Sequence, residues 1–207
     1  EWELEEGIRL QGFNGIGGPR YVELPDGRGR LYCFATEPTA KGVISAVTMD
    51  GLNFELEPGY RVKNGRSAIE ARGITAADVL PPSAAGQPWR MLYSAWQDAP
   101  PGAVIPPHPS SDPDAVESGL SEDFAAASIA SDLAGFRSRI FAARSADGLL
   151  WEREGCVIEG DGLGAPGIDA VHAEDMSFIQ LDDGSYRVYY AACDKDGNWR
   201  IASAVTC

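Results

Sequence analysis

Residues 171–192 read "VHAEDMSFIQLDDGSYRVYYAA". His172, Glu174 and Asp175 stand just ahead of an alternating apolar strand, an Asp-Gly pair follows that strand, and an aromatic strand comes next. Asp-Gly between two alternating strands is a strong hairpin signal. The stretch therefore predicts a β-hairpin with acidic residues and a histidine at its start.

The same pattern occurs three times along the chain. The paired segments are "YVELPDGRGRLYCFAT" with "GVISAVTMDGLNFELEPGYRV", "ADVLPPSAAGQPWRMLYSAW" with "RIFAARSADGLLWEREGCVI", and "SFIQLDDGSYRVYYAACD" with "RIASAVTC". Each unit reads as four short strands, and repeated units of this kind bury a core between neighbours. The sequence thus predicts an all-β fold, a β-propeller of three four-stranded blades in a single domain spanning residues 1–207. Blade one covers residues 19–62, blade two 74–158 and blade three 171–207.

The third unit lacks a fourth strand, and the N-terminus contains a match for one. Residues 2–10, "WELEEGIRL", resemble the fourth strands "FELEPGYRV" and "WEREGCVI" of the other units. We expect residues 2–10 to complete blade three and close the ring, which removes a free strand edge. A compact three-bladed ring in one chain is the preferred arrangement. Two chains that share a six-bladed ring, or blades padded by an insertion, remain alternatives, so the protein is a monomer or a homodimer.

An insertion interrupts the second unit at residues 97–136. Its first part is rich in Pro, Ser and Asp, which is typical of a loop, and we expect it to cover one mouth of the ring. In the second part Ser121 is a candidate helix N-cap and Gly135 a candidate stop, so a short helix is predicted there.

Composition and charge exclude several classes of partner. The chain has 207 residues and a net charge of −14, which disfavours nucleic acid and anionic membrane surfaces. The four cysteines lack the spacing of a zinc site, so we expect no metal and no cofactor. Free thiols fit a reducing cytosol, and the apolar runs are too short to span a bilayer. These features predict a soluble, acidic, cytoplasmic protein, although the start at Glu1 leaves open whether a leader was removed.

Four stretches carry a resemblance to a known superfamily: "LPDGRGRLYC", "ISAVTMDGLNFELEPG", "AARSADGLLWEREG" and "EDMSFIQLDDGSYRVYYAA". They resemble the blades of the arabinanase, levansucrase and invertase superfamily of five-bladed propeller glycosidases. "SADGLLW" also looks like the aspartate box of sialidase propellers, which is a structural turn. The superfamily resemblance implies a carbohydrate or small-molecule site in the central channel, where a pair of carboxylates at the starts of innermost strands cleaves a glycosidic bond.

Carried over position by position, the resemblance leaves only one of three channel acids in place. The corresponding positions are Gly18 in unit one, Ala76 in unit two and Asp175 in unit three. Glu174 is adjacent to Asp175, but neighbouring residues of a regular strand point to opposite faces. Glu70, in "AIEARG" ahead of unit two, is a candidate for the missing second carboxylate.

The predicted site contains eight residues. The catalytic candidates are Asp175, Glu174, His172 and Glu70, since carboxylates and imidazole are the usual general acids and bases. Four further residues are predicted to bind the ligand through ion pairs or ring stacking, namely Arg72, Trp96, Tyr190 and Arg20.

Three functions are compatible with these residues. The first is a carbohydrate-active enzyme with a rearranged acid pair, the second a non-catalytic glycan- or ligand-binding propeller, and the third a propeller repurposed for cyclisation or isomerisation in a biosynthetic pathway. The two lost acid positions favour the second and third functions, and the cluster of His172, Glu174 and Asp175 favours the first and third. Together they predict an enzyme-like site for a small molecule or carbohydrate, with acid–base chemistry by carboxylates.

Overall fold

The structure is a computed structural model that describes residues 2–38, 40–65, 70, 72–103, 105 and 136–206. These residues form twelve β-strands and no α-helix. Within the same residues, no helix is long and apolar enough to cross a membrane. The predicted helix at residues 121–135 and most of the predicted loop at residues 97–120 lie outside the described residues.

The strands form three antiparallel sheets in chain order. Blade one consists of β1 (Gly15–Glu23), β2 (Gly29–Glu37) and β3 (Ala40–Thr48), with an outer strand split into β4 (Glu55–Leu56) and β5 (Val62–Lys63). Blade two consists of β6 (Gly73–Leu80), β7 (Trp89–Asp98), β8 (Phe136–Ser145) and β9 (Trp151–Ile158). Blade three consists of β10 (His172–Gln180), β11 (Tyr186–Cys193) and β12 (Trp199–Val205). The all-β architecture predicted from the repeats is confirmed.

Blade two lies between the other two blades. Apolar residues of blades one and two share one buried cluster, which includes Tyr32, Met91 and Phe141. A second cluster joins blade two to blade three through Ile140 and Phe178, among others. Alternation along each strand produces these two faces, because neighbouring side chains point to opposite sides of a sheet.

The aspartate-box turn of blade two is a structural joint between blades. Asp147 accepts hydrogen bonds from the backbone N–H groups of Leu149 and Leu150, which fixes the turn. The Tyr32 hydroxyl of blade one then donates to the carbonyl of Gly148 at 2.8 Å. A Cβ atom at Gly148 would stand 2.7 Å from that hydroxyl oxygen, so this close approach requires glycine.

The prediction that residues 2–10 close the ring is wrong for this structure. These residues belong to no strand, Trp2 and Leu4 are fully exposed, and within the described residues β12 pairs only with β11. Leu10 and Phe13 pack on the face of blade one that points away from blade two. That anchor holds the N-terminal segment on blade one, and the described sheets are not closed into a ring.

Candidate functional site

A β-bulge interrupts the first strand of every blade at or next to the position of the predicted channel acid. The register shifts between Gly17 and Arg20 in β1, between Ile74 and Ala76 in β6, and between Glu174 and Ser177 in β10. Bulges re-aim side chains and are frequent next to active sites. The irregularity contains Gly18 in blade one and Asp175 in blade three, which supports the equivalence of these two positions, whereas in blade two it precedes Ala76, which pairs with Ser94.

Asp175 occupies this bulge in a backbone conformation that suits glycine. Its φ is +48°, the only positive φ of a non-glycine residue in the described part of the chain, whereas Gly18 has φ +58° in the bulge of blade one. Left-handed backbone costs an L-residue about 1–2 kcal/mol, although aspartate tolerates it better than most. The Asp175 side chain is exposed, and its backbone N–H donates to the buried Ser94 hydroxyl at 3.1 Å.

Glu174 and Asp175 lie in opposite environments. Glu174 is buried, with an exposed fraction of 5%, while Asp175 is exposed. Because the two carboxylates do not face the same surroundings, they do not form a pair that flanks one bond from both sides.

His172 is a buried histidine held by backbone and aromatic contacts. The backbone N–H of Ser138 lies 3.2 Å from Nδ1 and the Ser138 hydroxyl lies 3.1 Å from it, while the ring stacks on Trp199 at 5.3 Å. A backbone N–H only donates, so Nδ1 is the acceptor and the neutral imidazole carries its proton on Nε2. Because the ring is buried against Ser138 and Trp199, we interpret His172 as a residue that holds these neighbours in place.

Arg139 fixes the chain leading into β10. Its guanidinium donates to the carbonyls of Ser138, Val171 and Ala170 at 2.6, 2.9 and 3.2 Å. Burial lowers the pKa of Arg139 to about 10, and the charge of Arg137 adds to the effect. This arginine holds the segment that carries His172 against blade two.

Arg72 and Trp96 lie at the same end of blade two as Ser138. Trp96 pairs with both Gly73 and Ser138 across the sheet, and its carbonyl accepts the backbone N–H of Arg72 at 3.0 Å. Both side chains are partly exposed, and Arg72 forms an ion pair with Asp98 at 2.6 Å. The structure thus brings Arg72, Trp96, His172, Glu174 and Asp175 to one end of blades two and three.

Glu70 lies in a different interface, between blades one and two. The Tyr93 hydroxyl donates to Glu70 Oε1 at 2.5 Å, and Arg153 forms an ion pair with Oε2. Arg153 also donates to the carbonyl of Lys63 in blade one. Burial, followed by the hydrogen bond to Glu70, raises the pKa of Tyr93 well above its usual range. These contacts make Glu70 part of an inter-blade clamp.

Arg20 and Tyr190 also have structural partners. Arg20 forms an ion pair with Asp78 of blade two at 2.8 Å, and the backbone N–H of Phe178 in blade three donates to the same carboxylate at 2.9 Å. Asp78 therefore links the first strands of all three blades. The Tyr190 hydroxyl donates to Asp169 at 2.9 Å, and burial, then this hydrogen bond, raises the pKa of Tyr190 to about 12.

A cavity of about 680 Å³ opens at the opposite end of blades two and three. Its walls are largely apolar, including Leu92, Phe178 and Val188, and Arg90 and Glu154 also line it. None of the eight predicted site residues lines this cavity. Among the described residues, no group of three or more His, Cys, Asp and Glu side chains is arranged to hold a metal ion.

Sequence reasoning missed Arg139, Asp78 and Ser138. A buried arginine has no local sequence signature, and "ITAADVL" gives no sign that Asp78 receives donors from two other blades. Their roles depend on which blades pack together.

Solved structures with a similar fold are carbohydrate-active proteins. A family 117 glycoside hydrolase from Zobellia galactanivorans has a TM-score of 0.62 at 14% identity, covering 96% of this chain and 57% of its own. The fold is that of the glycoside hydrolase propellers. A thermostable family 43 glycoside hydrolase has a TM-score of 0.55 at 15% identity, covering 96% of this chain and 50% of its own. The β-1,2-mannobiose phosphorylase of Listeria innocua, in complex with β-1,2-mannobiose, has a TM-score of 0.55 at 12% identity, covering 92% and 40%.

The glycosidase-like propeller described here spans about half the length of these solved structures. No family model matches the chain, and no curated protein matches it either. At identities of 12–15% the likeness establishes the fold and nothing about the reaction.

Proposed function

We propose that this glycosidase-like propeller binds a carbohydrate or another small polyhydroxylated molecule where the first strands of blades two and three begin. Asp175 is the carboxylate that contacts the ligand and exchanges a proton with it. Trp96 and Arg72 form the adjacent wall, the first by stacking on a ring and the second by donating hydrogen bonds. Glu174 and His172 are positioning residues, because both are buried.

One observation carries this proposal: Asp175 stands in a left-handed bulge where blade one has glycine. Blades one and three share the left-handed backbone of this bulge, and glycine is the residue that fits it without strain. An aspartate in that place accepts a backbone cost and leaves its carboxylate exposed. Strained residues of this kind cluster at binding and catalytic sites. The carboxylate therefore accounts for the presence of aspartate where the backbone favours glycine.

Asp175 is a single exposed carboxylate, which suits proton transfer better than cleavage of a glycosidic bond by two flanking carboxylates. Gly18 and Ala76 supply no second acid, and Glu70 is engaged by Arg153. Isomerisation or cyclisation of a small polar molecule needs only a well-placed acid or base and a bound substrate. Glycoside cleavage requires a second carboxylate or a group that replaces it.

The non-catalytic binding module is the second candidate function. The absence of an acid at Gly18 and Ala76, two of the three predicted channel positions, favours it. In that case Asp175 accepts hydrogen bonds from ligand hydroxyls and transfers no proton, while the same wall residues bind the ring.

The test compares Asp175→Asn with Asp182→Asn. Asp182 is exposed in the hairpin turn after β10 and serves as a matched control for the loss of one charge. Each protein is assayed for isomerisation of free sugars by NMR and for cleavage of p-nitrophenyl glycosides, and binding of the same free sugars is measured by calorimetry. We expect Asp175→Asn to lower turnover by about 10²–10⁴, the usual cost of losing a general acid or base, and Asp182→Asn to leave it unchanged.

Two other outcomes decide against this proposal. If the parent protein turns over no compound but binds a sugar that Asp175→Asn no longer binds, the binding module replaces the enzyme. If Asp175→Asn behaves like Asp182→Asn in both assays, the site lies elsewhere.

A further inference from the structure

The bulge that carries Asp175 is held from outside its own blade. In β10 the register with β11 shifts between Glu174 and Ser177, so Asp175 lies outside the regular pairs of the two strands. A bulge of this kind takes a backbone N–H group out of the ladder of its own sheet. The backbone N–H of Asp175 donates to the hydroxyl of Ser94 in blade two, at 3.1 Å. The position of the bulge therefore depends on a side chain of the neighbouring blade.

Ser94 lies within the contact between blades two and three. Its exposed fraction is 0%, and it pairs with Ala76 in β6 and with Ile140 in β8. Ala76 and Ile140 both pack in the apolar cluster that joins these two blades, and so does Met176 of the bulge. A polar group buried among such residues is costly unless it forms a hydrogen bond. The Ser94 hydroxyl forms one with the backbone of the next blade, so this contact explains a serine at a buried position.

The other two blades have no hydroxyl at the place of Ser94. Ser94 comes four residues after the arginine near the start of its strand, and the same count gives Phe34 in β2 and Ala191 in β11. The Phe34 ring lies against the bulge of its own blade, because a Cβ atom added at Gly18 would stand 3.2 Å from the ring. Blade one thus combines a glycine in the bulge with an apolar ring over it, whereas the bulge of blade three combines an aspartate with a hydroxyl from blade two.

Ser94 and Met176 both contribute to the left-handed conformation of Asp175. A non-glycine residue with φ +48° persists only where the surrounding structure maintains that conformation. The side chain of Met176 is 6% exposed and anchors the bulge in the apolar cluster between blades two and three. The hydrogen bond to Ser94 adds a direction, because it fixes the orientation of the peptide group that precedes the Asp175 side chain.

We propose that Ser94 is a positioning residue of the site, whose hydroxyl holds the bulge of blade three so that the Asp175 carboxylate stands at a fixed place beside the ligand. This inference rests on the proposed function, in which Asp175 contacts the ligand. Ser94 acts through the backbone, since its own side chain is buried and that of Asp175 is exposed. A carboxylate on a loosely held bulge spends less time in the geometry that proton transfer requires, so the hydroxyl supports turnover more than it supports ligand binding.

Hydrogen exchange of the Asp175 amide, measured by NMR, tests the holding contact without any ligand. We expect Ser94→Ala to speed this exchange about tenfold, because the N–H loses its acceptor. The amide of Phe178 in the same strand donates to Asp78 at 2.9 Å and should keep its rate, which makes it an internal reference. Ser145→Ala is the matched control, since Ser145 is also a buried serine of blade two and accepts backbone N–H groups in the aspartate-box turn. We expect Ser145→Ala to lower Tm and to leave exchange at Asp175 unchanged.

Kinetic constants separate a positioning role from a purely structural one. Turnover is measured with the free sugars and p-nitrophenyl glycosides of the Asp175→Asn experiment. We expect Ser94→Ala to lower kcat about tenfold and to change KM by less than about twofold. Ser94→Thr keeps the hydroxyl and should recover most of kcat, and Ser145→Ala should keep the kcat and KM of the parent. If the parent binds a sugar without turning it over, we expect the same order of variants in the affinity measured by calorimetry.

Three outcomes overturn the proposal, and they differ from one another. Exchange at Asp175 that stays unchanged in Ser94→Ala, or that rises equally in Ser145→Ala, shows that Ser94 does not hold the bulge, even if Asp175→Asn is inactive. Faster exchange with the kcat and affinity of the parent shows that Ser94 holds the bulge without positioning the carboxylate. If Asp175→Asn behaves like Asp182→Asn, the proposed function itself fails and the positioning role falls with it, whatever the exchange rate in Ser94→Ala.

Discussion

Replacing Glu70 with glutamine is expected to destabilise the fold and leave ligand binding intact. The side chain of Glu70 is 5% exposed and the side chain of its partner Arg153 is 17% exposed, so the substitution leaves a largely buried guanidinium without its counter-charge. Breaking a buried ion pair from one side costs about 3–5 kcal/mol, and the partial exposure of Arg153 puts the cost near the lower limit, at about 3 kcal/mol. In a domain of this size that corresponds to a fall in Tm of about 6–12 °C.

Three variants make this measurement decisive. Glu152→Gln breaks the exposed ion pair with Arg144. Glu152 is the neighbour of Arg153 in β9, and its loss should change the free energy of unfolding by less than about 0.5 kcal/mol. Glu70→Gln combined with Arg153→Met removes the stranded charge and should recover part of the loss. Urea and thermal unfolding give the three values. If Glu70→Gln unfolds like Glu152→Gln but abolishes activity, the clamp interpretation is refuted and Glu70 returns to the catalytic site.

Three further predictions follow from the geometry. Asp175→Gly should be about 1 kcal/mol more stable than Asp175→Ala in urea unfolding, because only glycine fits φ +48° without strain, and equal stabilities would contradict a strained bulge. Burial raises the pKa of Tyr32 and Tyr190 from 10.0 to about 12, so the unfolded chain loses these protons at lower pH than the folded chain does. The free energy of unfolding should therefore fall between about pH 10 and 12, and Tyr190→Phe should make that fall smaller. Burial also raises the pKa of the Cys33 and Cys193 thiols to about 11, so alkylation at neutral pH should reach them only after unfolding, as peptide mass spectrometry would detect.

The blades and their turns could be predicted from the sequence because they rest on short-range signals. Asp50 accepts hydrogen bonds from the backbone N–H groups of Leu52 and Asn53, and Asp147 does the same two and three residues further along its own turn. Such contacts involve neighbours in the chain, so Asp-Gly pairs between alternating strands are enough to indicate them. The equivalence of Gly18 and Asp175 could also be predicted from the sequence, because it follows from the repeat.

The environments of the candidate site residues were decided by the tertiary structure. Glu70 and Arg153 are 83 residues apart in the chain, and Arg20 reaches a carbonyl 59 residues away. No local pattern encodes such a pair, because it forms only when one blade packs on the next. For this reason the sequence determined which residues are acidic, aromatic or glycine at each blade position. Only the packing of the blades decided that Asp175 is exposed in a bulge, that Glu70 is a clamp, and that Leu10 and Phe13 anchor the segment resembling a fourth strand to blade one.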